Sequence, residues 1–194
     1  MFKEVIAGVR STVILWVLTA ILYPAFFLLL GQTLLPGQAN GSLITSAQGE
    51  VVGSALIGQS FSSATYFRSR PSAVAYSEGP EAQPTGTSGA SNLAPGNPDL
   101  LARVEATAAE LQQAGIPAVA DLLYASGSGL DPHISPAAAA AQIEAVATAR
   151  GLSPEAVAEQ VAAHTQGRFW GLFGEPGVNV TTLNVALDRL QNPS

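Results

Sequence analysis

The sequence predicts an α+β protein: one N-terminal transmembrane helix followed by a mostly helical exported domain with a small sheet. Three observations carry this. Thr12–Leu35 reads TVILWVLTAILYPAFFLLLGQTLL, and no charged residue occurs between Arg10 and Glu50. Helix starts recur at Asn97-Pro98-Asp99, Ser135-Pro136 and Ser153-Pro154-Glu155. One Val- and Ile-rich stretch, EVVGSALIG at 50–58, has the composition of a strand.

Residues 12–35 are long enough to cross a bilayer, which takes about 20 apolar residues. The run is too long for the usual signal-peptide core of about 7–15 residues, although Ala39-Asn40-Gly41 imitates a cleavage site. Pro24 lies in mid-span. It is either a simple kink or a seat for a neighbouring helix, which Thr19, Ala20 and Gly31 would let approach closely. Lys3 and Arg10 precede the span and no basic residue follows until Arg68, so the positive-inside rule places residues 1–11 in the cytoplasm. Residues 36–48 read as a polar linker, and residues 49–194 as a domain on the outer side, which in a Gram-negative cell is the periplasm.

Within that domain Gly53 is a candidate bulge. Residues 77–96, dominated by Gly, Pro, Ser and Thr, form a long loop of the kind that is functional or disordered. At each helix start a side-chain oxygen accepts an orphan amide, and the proline beside it has no amide to leave orphaned. Gly115, Gly151 and Gly167 stand where left-handed C-caps are wanted. The first helix presents Leu100, Val104 and Leu111. The second, from Pro136, is nearly all alanine and so must pack closely. The third presents Val157 and Val161, and a fourth near 180–190 presents Val180, Leu183, Leu187 and Leu190.

Composition excludes several functions. After residue 36 there are 6 Arg and no Lys against 13 acids, a net charge of −7. Such a domain does not attract nucleic acid or anionic lipid. There is no cysteine, hence no disulfide, thiolate metal site or thiol catalysis. His133 and His164 are the only histidines and lack carboxylates at ligand spacing, so no metal is expected. The G-x-x-x-x-G-K-[ST] phosphate loop is absent, as is an Asp-Lys-Thr-Gly phosphorylation loop, so the chain does not hydrolyse ATP by itself.

The densest polar stretch is ASGSGLDPHIS at 125–135. Ser126, Ser128, Asp131 and His133 are the residue types of a serine hydrolase, which makes a membrane-anchored periplasmic hydrolase the alternative function. Asp131 and His133 are expected to diverge around Pro132, and a Gly-Ser turn leading to the cap at Ser135 accounts for the same residues. Arg68 and Arg70 either clamp an anion or a partner's carboxylates, or pair internally. His164 sits where a helix C-terminal dipole favours it.

Several segments occur in an order that resembles one family: Gly58-Gln59-Ser60-Phe61, Tyr66-Phe67-Arg68-Ser69-Arg70-Pro71-Ser72, Ser88-Gly89-Ala90-Ser91-Asn92-Leu93 before Asn97-Pro98, ASGSGLDPHIS, His164-Thr165 with Gly167-Arg168, and Gly174-Glu175-Pro176 with Val178-Asn179-Val180. With the anchor, they resemble the C subunit of the Kdp-type potassium-transporting P-type ATPase over essentially the whole chain. The resemblance implies a non-catalytic subunit of a bacterial inner-membrane complex. Its partners would be a potassium-conducting subunit, a P-type ATPase subunit and a small peptide subunit. It implies a role in assembly and as a catalytic chaperone that raises the ATP affinity of the pump subunit. No firmly bound cofactor is implied. ATP is contacted, if at all, through the complex, and potassium is carried by the partners. The nucleotide residues it implies are Ser126, Gly127, Ser128, Gly129 and Gln142. Candidate partner contacts are Pro24, Arg68, Arg70, His133 and Arg168. Gly177 and Ala145 depart from it, since both stand where arginine is usual. The direction of the span sets a constraint: the Gly-Ser stretch faces outward whereas ATP is inside.

Overall fold

Apolar length and uninterrupted backbone hydrogen bonding make the N-terminal segment one continuous helix. The computed structural model describes residues 2–46, 48–78 and 86–191. The helix starts at Phe2, before the apolar run itself, as α1 (Phe2–Trp16), opens into a π-helical turn at Val17–Leu22, and resumes as α2 (Tyr23–Leu34). The wide turn has a cause. Pro24 has no amide and its ring clashes with the carbonyl four residues earlier, and a π-bulge relieves that clash without breaking the helix. Thr19 Oγ1 donates to the Leu15 carbonyl at 2.8 Å, so its hydroxyl is satisfied without water. Residues Phe2–Leu34 have a mean hydropathy of 2.5 over their most apolar window, none of it buried within the protein. This is the profile of a membrane span rather than of a core helix. A short helix, α3 (Pro36–Ala39), follows.

The chain divides into two units, Met1–Leu43 and Ile44–Ser194. A strand pair, β1 (Leu43–Thr45) and β2 (Val51–Ser54), begins at the boundary. The strand expected over 50–58 therefore stops at Ser54. Beyond it the chain turns back on itself at a bridge between Ser54 and Ile57, and Gly58 N donates to the Leu130 carbonyl at 2.8 Å. Residues 79–85 of the expected long loop lie outside the described residues.

All three proline-led starts cap helices. Asn97 accepts from Asp99 N at the head of α4 (Pro98–Gln113), Ser135 from Ala138 N at α6 (Pro136–Ala140), and Ser153 from Ala156 N at α8 (Pro154–Ala163). A single turn, α5 (Ala120–Leu123), lies between α4 and α6. Gly115 and Gly151 are left-handed, at φ +70 and +65. Gly167 is not a cap. Helix α8 ends at His164, whose Nδ1 lies 2.8 Å from the Gln160 carbonyl, and β4 (Thr165–Gln166) follows at once. The alanine-rich helix is also two pieces: α6, then α7 (Ile143–Arg150) after a break at Ala141-Gln142.

The second sheet is antiparallel, in the order β3 (His133–Ile134), β5 (Gly177–Asn179), β4. Its register sets His133 opposite Asn179 and Thr165 opposite Val178. Helix α9 (Val180–Gln191) leaves β5 directly. The core collects Phe67, Leu111, Ile134, Val146, Val157, Val178, Leu183 and Leu187, with Ala138 and Ala139 fully buried where α6 meets α8. Of the residues expected to pack, Leu100 and Val104 are half-buried and Leu190 is exposed. Thr181 and Asn184 take the remaining buried positions of α9.

Candidate functional site

The Ser126–Gly129 turn is built by its own side chains. Ser126 is buried, and its Oγ accepts from Gly129 N at 3.2 Å. Ser128 Oγ accepts from Leu130 N at 3.1 Å and Asp131 N at 3.0 Å. Three amides that a phosphate nest would use are thus turned onto serine oxygens. Gly129 (φ +69) is a close approach: a Cβ there would lie 2.4 Å from the Gly89 carbonyl oxygen and 2.6 Å from Val74 Cγ2. The turn also fastens the 86–91 segment, since Gly89 N and Ser88 Oγ both donate to the Ser128 carbonyl, at 2.8 and 2.9 Å.

Beneath it runs a strained turn. Ala75, Tyr76 and Ser77 all have positive φ, between +46 and +57, which costs L-residues about 1–2 kcal/mol each. Ser72 Oγ holds it by accepting from Val74 N and Tyr76 N while donating to the Gly129 carbonyl at 2.7 Å. Tyr76 is buried, and its hydroxyl donates to the Arg70 carbonyl at 2.6 Å. Burial pushes its phenol up to about 12.

Gln142 has different neighbours. It is fully buried, its Oε1 accepts from Arg68 N at 2.7 Å, and its Nε2 donates to the Arg68 and Ala138 carbonyls at 3.2 Å. Asn184 does the same one residue earlier: Oδ1 accepts from Phe67 N and Nδ2 donates to the Phe67 carbonyl, both at 2.9 Å. Two buried amides from α9 and the α6–α7 break thereby act as a substitute ladder strand for the extended 66–70 segment. The break in the alanine helix is where Gln142 turns inward. None of Gln142's hydrogen bonds reaches the Ser126–Gly129 turn.

Contrary to the sequence expectation, Asp131 and His133 converge. His133 Nδ1 lies 3.1 Å from Asp131 Oδ1, which also accepts from His133 N at 3.0 Å. An Asx-type turn around Pro132 folds the carboxylate back over the following residue. Nevertheless no serine among the described residues completes a triad. His133 Nε2 is buried and has no hydrogen-bond partner among the described residues, and both serine hydroxyls face backbone amides. A hydrolase needs its nucleophile on that nitrogen.

Arg70 and His133 line one cavity of about 520 Å³ together with Asp121, Asp131, Gln166 and Glu175. Arg70 Nε is a second buried nitrogen without a partner among the described residues. Arg168 joins this region through Glu175, with both carboxylate oxygens at 2.8 Å from Nη2. Three of the candidate partner contacts, Arg70, His133 and Arg168, therefore gather around this cavity. Arg68 is held elsewhere, beside Gln142, and Pro24 belongs to the span. No group of three His, Cys, Asp or Glu able to hold a metal occurs among the described residues.

The profile of the family described as "K+-transporting ATPase, c chain" matches residues 5–189. The chain belongs to that family. It is 61% identical over 189 residues to the potassium-transporting ATPase KdpC subunit of Synechocystis sp., a match covering 97% of this chain and 100% of that one. It is 53% identical to KdpC subunit 2 of Nostoc sp., over 96% of this chain and 94% of that protein. It is 52% identical to the KdpC subunit of Burkholderia orbicola, over 92% of each. Within this family member, Gly177 lies on β5 against the His133 ring, and Ala145 lines a groove with Arg68 and Glu144. An arginine at either place would have added a cation beside an arginine already present.

Sequence reading missed Arg150, the best-connected cation. Its side chain is 2% exposed. It reaches Asp188 at 2.9 Å, Gln191 at 2.8 Å and the Thr65 carbonyl, and its guanidinium lies 5.0 Å from the Tyr66 ring centroid. A basic residue just before a C-capping glycine reads as a dipole partner, and that pattern hides its tertiary role.

Proposed function

We propose that the chain is an accessory, non-hydrolysing subunit of an ATP-driven potassium import complex in a bacterial inner membrane. The full-length family match, 5–189, carries this reading. The span anchors the subunit with its N-terminus in the cytoplasm and the domain from Ile44 onward outside. The potassium-conducting, ATPase and small peptide subunits are its partners. It stabilises their assembly and raises the ATP affinity of the ATPase subunit from a distance. Two features support an indirect effect. Gln142 and Ser126 are buried and engaged with backbone. The charge on either side of the span, Lys3 and Arg10 against none until Arg68, favours a domain on the side away from cytosolic ATP.

Removing the chain tests this. Growth at low external potassium should fail, and the remaining subunits, if purified, should need more ATP for half-maximal hydrolysis. Unchanged growth and ATP dependence would sink the proposal.

A further inference from the structure

Between β4 and β5 the chain makes a hairpin whose tip has no role in the fold. Phe169 and Phe173 exchange backbone hydrogen bonds at 2.8 and 3.0 Å. Arg168 and Glu175 pair across its base. Trp170 and Gly171 turn the corner at φ +53 and +74, an uncommon conformation for a residue as bulky as tryptophan. Its consequence is outward display. Phe169 is 65% exposed, Trp170 80%, Leu172 73% and Phe173 61%, with the Phe169 and Trp170 rings stacked 4.9 Å apart. Scattered exposed apolar residues are ordinary, whereas four within five consecutive positions on an ordered turn form a patch.

We propose that this tip inserts into the interfacial layer of the lipid bilayer in which the chain is anchored. Two observations select lipid. Residues 35–42 alone separate the end of the span from β1, a contour of at most about 3.3–3.6 Å per residue, so β1 stays within tether reach of the bilayer. The tip is an aromatic and leucine cluster with no charge, and its flanking charges cancel each other. Trp and Phe of this kind favour the membrane–water interface. The domain's net negative charge leaves no electrostatic attraction to anionic lipid, so the contact is apolar and indifferent to salt. The inference rests on the helix Phe2–Leu34 being inserted, not on the transporter assignment.

The chain has no cysteine, so Leu172→Cys in the full-length protein carries a single environment-sensitive fluorophore at an exposed position. The labelled chain is reconstituted into phosphatidylcholine vesicles, floated, and measured before and after assembly with the membrane subunits. A several-fold emission rise with blue shift in lipid alone, quenched by headgroup-proximal nitroxide lipids and unchanged by high salt, is expected. Adding Trp170→Ser and Phe173→Ser should reverse the shift while the chain still floats. Water-like emission in floated vesicles overturns the proposal. A shift only on assembly also overturns it, and assigns the tip to a protein partner. Failure to float overturns it by removing the anchor, which potassium-dependent growth reads separately.

Discussion

Gln142 shows how one side chain separates two readings. As a nucleotide contact it would be tolerant in the isolated chain and essential to ATP affinity. As the bracket for Arg68 it is essential to folding. Gln142→Leu leaves the Arg68 amide and two carbonyls without partners. The expected loss is about 2–3 kcal/mol, since each buried unsatisfied group costs about 1–3 and Arg68 is partly solvated. Chemical denaturation of the full chain in detergent checks it. The turn glycines give a sharper contrast. Gly129→Ala places a Cβ on Gly89 and Val74 at a left-handed residue, and should destabilise by about 3 kcal/mol. Gly127 has open space around it, so Gly127→Ala should change neither stability nor the ATP dependence of the complex. A nucleotide cradle would lose affinity from that substitution. Tyr76 adds a pH dependence. Its neutral phenol is the folded form, and burial raises its pKa from 10 to about 12. The stabilisation is therefore complete below pH 10 and lost as pH rises from 10 through 12. Tyr76→Phe should flatten that alkaline limb in a stability-versus-pH series.

Arg150 ties two helices together: α7 ends on it, and Asp188 and Gln191 of α9 close around it. Arg150→Met keeps much of the stem's packing and removes the hydrogen bonds, so the expected loss is about 2–3 kcal/mol. Asp188→Asn should lose less than about 1 kcal/mol, because that carboxylate is 45% exposed and screened. Thermal unfolding of the pair of variants distinguishes them. The elements themselves were readable to different depths. Caps at Asn97, Ser135 and Ser153 are local chemistry, so their residues announce them. The β-structure is harder to read: β3, β4 and β5 are two or three residues long, and β3 finds β5 across more than forty positions. No periodicity can develop in so short a strand. The break at Gln142 and the bracket at Asn184 were hidden for the same reason. A polar residue inside an apolar pattern reads as a surface position until its distant backbone partner is known. The Asp131–His133 turn was legible in principle, because aspartate before proline commonly folds back onto the backbone. The converging triad it suggested still required a serine whose position only the fold supplies.

At the scale of the whole molecule, the direction of the span decides what kind of mechanism is available. Lys3 and Arg10 lie before it and the acidic domain after it. If the proposed orientation holds, reversing that bias, by Lys3→Gln and Arg10→Gln with arginines introduced at Gly37 and Gln38, should redirect the domain inward. Protease access on right-side-out vesicles would register the change. Under the proposed orientation, an outside domain would influence an inside nucleotide site only by binding two states of the pump unequally. Such coupling is reciprocal: if the subunit raises ATP affinity by some factor, ATP must tighten the subunit's own association by the same factor. Saturating non-hydrolysable ATP should therefore lower the subunit's dissociation constant from the detergent-solubilised complex. The size of that shift is set in advance by the ratio of ATP affinities measured with and without the subunit. Equality of the two factors is required by thermodynamics whatever route the coupling takes. The Ser126–Gly129 turn then separates the routes. Under the indirect mechanism, Gly127→Ala leaves both factors at their native values, whereas a direct nucleotide contact at the turn would lower them together.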